Sequence, residues 1–252
     1  MSQHGQSSGE LWVCHLGLVP YSDGLTLQET LRERRIAGTI PDTLLVLEHP
    51  PTYTYGRRSG AEDLPLPESF YAEEGIEVHA TDRGGKLTYH GPGQMVGYPI
   101  MAAPDVLAFL RAMEHAIIDA LAQVGIGARS RHEEGIDYTG VWVEDRKIAS
   151  IGVHVSRGVA THGFAVNVSN DLEPFSWVIA CGLPDVQMTS LAVESGARCE
   201  SLGCFRKRMA YSFARAHSRR QRLVSPWRLG IDATNPSSIK NTSTPTRQPI
   251  PA

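Results

Sequence analysis

The sequence has no apolar run approaching the roughly 18–20 residues of a membrane-crossing helix, and it has little net charge of either sign. Its 27 acidic residues against 24 Lys and Arg leave a formal charge of −3, which argues against a bulk grip on nucleic acid. The opening MSQHGQSSGE has no basic segment, no apolar stretch and no Arg-rich amphipathic helix, so no export or organelle signal is read and a cytoplasmic setting is expected. Cysteine is scarce. Cys14, Cys181, Cys199 and Cys204 stand alone or in one C-x₄-C spacing, a poor disulfide framework and a poor zinc site. Free thiols in a reducing compartment follow, one of them available for chemistry. With 252 residues, a single unit buries roughly 70–75% of its unfolded surface and needs no covalent staple. A 41% hydrophobic and 20% charged composition fits a soluble globular protein.

Charge is placed unevenly. Residues 201–252 hold ten basic residues and one acid, a sum of +9, so residues 1–200 sum to −12. The ends are polar: residues 1–10 read as flexible and residues 231–252 as a disordered Ser/Thr/Pro-rich tail. Between them, residues 11–230 show no linker and no internal repeat, as expected of one domain.

Leu11–Gly17, Leu44–Leu47, Thr52–Tyr55, Ile76–Ala80 and Met95–Ile100 read as strands. Thr26-Leu27-Gln28-Glu29 has capping-box spacing and predicts a helix that stops at Gly38. Val106, Leu110, Met113, Ile117, Leu121 and Val124 share one face of a helix over Pro104–Val124, closed by Gly125. Residues 140–168 form a three-strand meander with turns at Glu144–Arg146 and Ser156–Gly158, and a last helix starts near Phe205 with Met209, Phe213 and Ala216 on its apolar side. Adjacent hairpins among helices predict an α+β fold, a single domain with a mixed or antiparallel sheet flanked by helices.

The densest chemical signal is Arg83-Gly84-Gly85-Lys86-Leu87-Thr88-Tyr89-His90-Gly91-Pro92-Gly93-Gln94. Paired glycines let a backbone approach a ligand and aim N–H groups at it; a plain Gly/Pro hairpin uses the same residues. Cys181 precedes Gly182-Leu183-Pro184, either exposed at a turn or a small buried hydrophobe. In a regular strand over 147–155, Lys147 shares a face with Ala149, Ile151, Val153 and Val155. There it either snorkels from a strand end or sits in a partly desolvated pocket, where its ammonium would lower a nearby thiol's pKa.

RGGKLTYHGPGQ, RKIASIGVHV, HGFAVNV and CGLPDVQMTSL, in that order, resemble the lipoyl(octanoyl) transferase family, the acyl-transferring branch of the biotin/lipoate protein ligase fold. The resemblance runs from about Leu11 to the region of Ser190. It implies that Cys181 carries an acyl thioester, that Lys147 lowers its pKa, and that residues 11–230 are the catalytic domain. It also implies substrate-binding backbone at Arg83, Gly84, Gly85, Lys86, Leu87, Thr88, Tyr89 and His90, at Ser150, Ile151 and Gly152, and at Gly163, Phe164 and Ala165. Lys86 stands where the family usually has Gln, Phe164 where it often has Leu, and Ala180 where it commonly has Pro, departures that bear on acyl length more than on reaction type.

The implied reaction moves an octanoyl group from octanoyl-acyl carrier protein through Cys181 to a lysine of a lipoyl domain, as the first step of endogenous protein lipoylation. The acceptor would be a 2-oxoacid dehydrogenase complex or the glycine cleavage H protein. Neither cofactor nor metal is expected, nor nucleic acid, nor membrane, and a monomer is the default. Backbone N–H groups near Gly84 and Gly85 or after Cys181, with His90 as an added donor, are candidates for holding the oxyanion.

Two other readings share the scaffold. An ATP-dependent lipoate or biotin ligase would use Arg57, Arg58 and the RGG segment for phosphates, but no GxxxxGK[ST] loop is present and Cys181 would be idle. A non-catalytic binder of lipoyl domains or acyl carriers would have no use for both Lys147 and Cys181. His79, His90, His154 and His162 lack metal-ligand spacing. The basic segment with Arg206, Lys207, Arg208, Arg215, Arg219, Arg220 and Arg222 is either a solvated face or a dock for an acidic carrier.

Overall fold

A computed structural model describes residues 9–183, 186–196, 199–232 and 235–239, with Cys181 and residues 235–239 given as backbone alone. The strands are β1 (Glu10–Leu18), β2 (Asp42–Glu48), β3 (Thr52–Tyr55), β4 (Glu77–Ala80), β5 (Thr88–His90), β6 (Gln94–Ile100), β7 (Arg129–Ser130), β8 (Gly140–Val143), β9 (Arg146–Ser156), β10 (Val159–Asn167), β11 (Arg220–Leu223), β12 (Ile231–Asp232) and β13 (Asn235–Ile239). The helices are α1 (Tyr21–Ile36), α2 (Glu68–Glu73), α3 (Val106–Ala122), α4 (Leu191–Ser195) and α5 (Leu202–Ala216).

Eight strands form one mixed sheet in the order β11-β1-β2-β6-β10-β9-β8-β7. β1 runs parallel to both β11 and β2, and every other pairing in this sheet is antiparallel. The central strands β6 and β10 are buried along their whole length, because helices cover both faces. On one face, Met113, Ile117 and Leu121 of α3 and Phe205, Met209 and Phe213 of α5 pack on Val46, Val166 and Ile148. On the other, Leu27 and Leu31 of α1 meet Leu45, Leu47 and Tyr98. A second sheet, β4-β3-β5, builds its own core from Tyr53, Tyr71, Leu87, Tyr89 and Phe175. The α+β expectation holds.

Three local expectations change. α1 begins at Tyr21 with Pro20 at its N-cap, five residues before the capping-box pattern. Thr26 lies inside the helix, where its hydroxyl donates to Ser22 O at 3.1 Å. The proline's fixed φ, −51° here, suits a helix start, and the threonine satisfies itself locally. The last helix starts at Leu202, where Ser201 accepts from Cys204 N, and Ala216 is exposed, not apolar-side core. Residues 1–8, 233–234 and 240–252 of the expected flexible ends lie outside the described residues; within those ends, Glu10 and Ile231–Asp232 lie in strands. Glu10 pairs with Arg220 in β11, and β12 pairs antiparallel with β13. Among the described residues, no helix is long and apolar enough to cross a membrane.

Candidate active site

β9 is not a regular strand. Val141 of β8 faces Ala149 and Trp142 faces Lys147, so Ile148 is an extra residue and the register shifts there. A bulge of this kind reverses the in-out alternation beyond it. Lys147 therefore leaves the face of Ala149 and Val153, which packs under α3, and joins the face of Gly140 and Ser150. That corrects the regular-strand expectation. Its ammonium lies 5.2 Å from the centre of the Trp142 ring, and the side chain is only 1% exposed. Its main chain is pinned on the other side: Lys147 N donates to Gln187 O at 2.8 Å and Thr189 N donates to Lys147 O at 2.9 Å. The lysine is thus tied to the segment that follows Cys181.

Lys147 lines a cavity of about 380 Å³ between the two sheets. Of the implied binding residues, Arg83, Gly84, Gly85, Lys86, Thr88, His90, Ser150, Ile151, Gly152, Gly163, Phe164 and Ala165 line it as well. Leu87 and Tyr89 do not; period-two alternation in β5 turns them into the tyrosine-rich core. Phe164 packs its ring on Phe213, centroids 5.8 Å apart, and forms a wall on the α5 side. Tyr21, Tyr98, His162, Leu107 and Leu110 also reach the cavity, and the sequence did not single them out for this role. Cys181 has its backbone in the 3-10 turn Ala180–Gly182 beside β5; its thiol lies outside the described part of the structure. Lys86 crosses this turn so closely that a Cβ at Gly182 would come within 2.1 Å of Lys86 Cδ.

The RGG segment is held from both sides. The buried Arg83 guanidinium donates to Thr54 O at 2.6 Å and to Thr54 Oγ1 at 2.9 Å. Gly84 N donates to Val153 O at 2.9 Å, and the chain approaches β9 so tightly that a Cβ at Gly152 would meet Gly84 O at 2.6 Å. Only glycine fits there. Gly84 N–H is therefore spent on β9, and Gly182 N–H on Ile179 O, so neither is a ready oxyanion donor.

His90 is excluded as a donor by its own network. Asn167 Nδ2 donates to Thr189 O, and Gln94 Nε2 donates to Tyr89 O and to Asn167 Oδ1. Gln94 Oε1 must then accept, at 2.7 Å, from His90 Nδ1. Burial, reinforced by the neighbouring His49, pushes the His90 pKa down to about 3, so Nε2 carries no proton at neutral pH. His49 is fixed likewise: Nδ1 donates to Val19 O, burial holds its pKa at about 4, and Nε2 accepts from the Tyr98 hydroxyl. His162 donates to Asp82 at 2.7 Å, and this bond is the main reason that the Asp82 pKa falls to about 2.

These histidines set an acid limit. The ordinary value is 6.5, against about 4 for His49 and about 3 for His90 in the folded chain. Below pH 6.5 the unfolded chain binds protons that the folded chain refuses. Stability is full above that value and is lost as pH falls through the window to about 3, by up to about 1.4 kcal/mol per pH unit for each histidine. Urea unfolding at pH 7.5, 5.5 and 4.5 should show a steadily falling midpoint; equal midpoints at all three would contradict the assignment.

Among the described residues no group of three or more His, Cys, Asp or Glu stands together to hold a metal ion. His79 pairs with Glu77, while His154 and His162 share Asp82. The basic C-terminal segment is largely neutralised at home: Arg206 pairs with Glu48, Arg208 with Glu200 at 2.8 Å and Arg219 with Asp42 at 3.0 Å. Arg220 and Arg222 both approach Glu10.

Residues 20–214 match the family model of the lipoyl protein ligase A/B catalytic domain. An octanoyltransferase of Acidothermus cellulolyticus is 46% identical over 186 residues, covering 72% of this chain and 81% of the relative. One from Acidobacterium capsulatum is 42% identical, covering 71% and 78%. In fold, the chain is similar to a lipoate-protein ligase A crystallised with ATP, with a TM-score of 0.71 at 18% identity over 86% of this chain and 89% of that one. On its sheet order, its cavity and these matches, the chain belongs to the lipoyl protein ligase A/B catalytic-domain family and groups there with the octanoyltransferases.

Proposed function

We propose that this chain transfers an octanoyl group from octanoyl-acyl carrier protein to a lysine of a lipoyl domain, with Cys181 as the acyl carrier and Lys147 as the proton carrier. The observation that supports this most is the buried Lys147 in the wall of the cavity, its main chain paired with Gln187 and Thr189 just beyond Cys181. The apolar lining from Leu107, Leu110, Ile151 and Phe164 suits an acyl chain, and the cavity needs no nucleotide to do this chemistry.

The protons balance within the pair. Lys147 takes the Cys181 proton, leaving thiolate beside ammonium. The thiolate attacks the donor's thioester carbon, a carbon–sulfur bond forms, and the donor's carbon–sulfur bond breaks as Lys147 returns the proton to the departing thiolate. The acceptor amine then attacks the enzyme thioester. Now neutral, Lys147 takes a proton from the nitrogen and hands it to Cys181 as the second carbon–sulfur bond breaks. One thioester is exchanged for another and then for an amide, which is downhill without ATP.

A cytoplasmic setting and a monomeric state accompany the proposal. Intact-mass spectrometry after incubation with octanoyl-carrier protein should show one added octanoyl group on the wild type and none on Cys181→Ala. The lipoyl domain should then discharge the adduct without ATP. A wild-type chain that never gains the group would sink the reading, and robust ATP–pyrophosphate exchange would favour a ligase instead.

A further inference from the structure

A fatty acyl thioester is uncharged, yet five cationic side chains line the cavity, Arg57, Arg58, Arg83, Lys86 and Lys147, against one carboxylate, Asp137. The chain as a whole carries a formal charge of −3, so this surplus is local. Four of the five have a place. Arg83 holds Thr54, Lys147 lies against Trp142, Lys86 crosses the Cys181 turn at Gly182, and Arg58 pairs with Asp137 at 2.7 Å. Arg57 is different. Among the described residues, every other arginine has a carboxylate, a carbonyl or an aromatic ring at its guanidinium, and Arg57 has none.

Its main chain is nonetheless held firmly. Gly56–Ser59 is a tight turn, with Ser59 N donating to Gly56 O at 3.1 Å and Gly56 N donating to Ser59 Oγ at 3.0 Å. Arg57 N and Arg58 N donate to Arg83 O and Gly85 O, at 2.9 and 3.1 Å, so the turn is fastened to the RGG segment. A Cβ at Gly56 would fall 2.2 Å from Gly85 O, an approach that only glycine allows. Arg57, Arg58, Leu107 and Ile136 are exposed and mark the mouth of the cavity, whereas Lys147 and Phe164 are buried.

An acyl carrier protein presents its acyl chain on a phosphopantetheine arm, with the thioester at one end and a phosphodiester at the other. With the acyl chain inside the cavity, the arm leaves through the mouth and carries a negative charge with it. We infer that the Arg57 guanidinium binds the phosphodiester of the donor's arm. This rests on the acyl-transfer reading above. Two N–H groups of one guanidinium match two phosphate oxygens, and the anion offsets the surplus positive charge at the mouth. The phosphate takes no part in bond making, so the contact is the same before and during attack on the thioester. It therefore lowers the donor concentration at half-saturation and leaves the maximal acylation rate alone.

Octanoyl-phosphopantetheine and octanoyl-pantetheine differ only by the phosphate, and acylation of Cys181 from each can be followed by rapid quench and intact-mass spectrometry. At low ionic strength the wild type should use the phosphorylated donor about tenfold more efficiently, the size expected of one charge-assisted contact, and added salt should shrink the preference. Arg57→Gln should lose about tenfold with octanoyl-phosphopantetheine and with octanoyl-carrier protein, as a rise in half-saturation, yet stay within twofold with octanoyl-pantetheine. Arg57→Lys should keep part of the preference, since a point charge replaces the fork. Arg157→Gln, which removes an exposed arginine from the turn between β9 and β10, should leave both small donors within twofold. A wild type indifferent to the phosphate overturns the inference, and that comparison decides even if Arg57→Gln does not fold. So does an Arg57→Gln variant weakened equally with both small donors. A loss seen with carrier protein but not with octanoyl-phosphopantetheine overturns it too, placing Arg57 on carboxylates of the carrier's surface. If no donor acylates the wild type, the acyl-transfer reading fails; if donors acylate it and the phosphate makes no difference, only the Arg57 assignment fails.

Discussion

Lys147→Ala should slow acylation of Cys181 by two to four orders of magnitude at pH 7, the range expected when a positioned acid–base group is removed. Its pH dependence should change as well as its height. Without a cation beside it, the thiol should titrate near its ordinary value of about 8.5, so the residual rate should climb tenfold per pH unit up to that point. The wild-type rate should level off at lower pH. Lys147→Arg should not restore the rate, because guanidinium keeps its proton at any working pH and cannot shuttle it. Stability separates this from misfolding. The side chain is 1% exposed against Trp142, so its loss leaves a void yet removes a buried charge, and the two effects oppose each other. A Lys147→Ala chain that acylates at the wild-type rate at pH 7 would remove the lysine from the mechanism.

Gly140→Ala should damage both fold and rate through a residue that does not itself touch substrate. Gly140 opens β8 at φ +138°, a backbone region that side chains disfavour. Its N–H donates at 3.1 Å to Glu114, a fully buried carboxylate of α3, which Arg111 neutralises. A Cβ at Gly140 would fall 2.4 Å from Ala149 O and 2.8 Å from Lys147 Cε. The carbonyl belongs to the sheet and cannot move far; the lysine stem can. Strain and overpacking together should cost about 2 kcal/mol or more, lowering the melting temperature by about 5 °C. The displaced ammonium should reduce acylation about 10²-fold, as expected for a misplacement near 1 Å. Wild-type melting together with wild-type acylation would contradict this account of Gly140.

Much of the fold could be read from local pattern. Thr52–Tyr55 has the bounds found for β3, and Asp105 caps α3 immediately before the periodic run from Val106 that predicts the helix. Long-range pairing was less legible. β11 is a mostly exposed RQRL segment whose strand state comes from docking on β1, not from any alternation of its own. The motif marks residues 83–90 as one binding segment, yet alternation along 87–90 puts Thr88 and His90 in the cavity wall and Leu87 and Tyr89 in the second core. His162 takes φ +57° between β9 and β6, a conformation that no local propensity announces.

The composition, the helical and strand periods and the four ordered motifs were enough to determine the α+β class, the family resemblance and the candidate pair Cys181 and Lys147. Tertiary structure decided which way those residues face. A period of two in the sequence assigns Lys147 to the packed side of β9. One extra residue, Ile148, opposite β8 reverses that assignment and sets the ammonium against Trp142. The phase of a strand is set by the partner it pairs with, and that partner is chosen only when the chain folds.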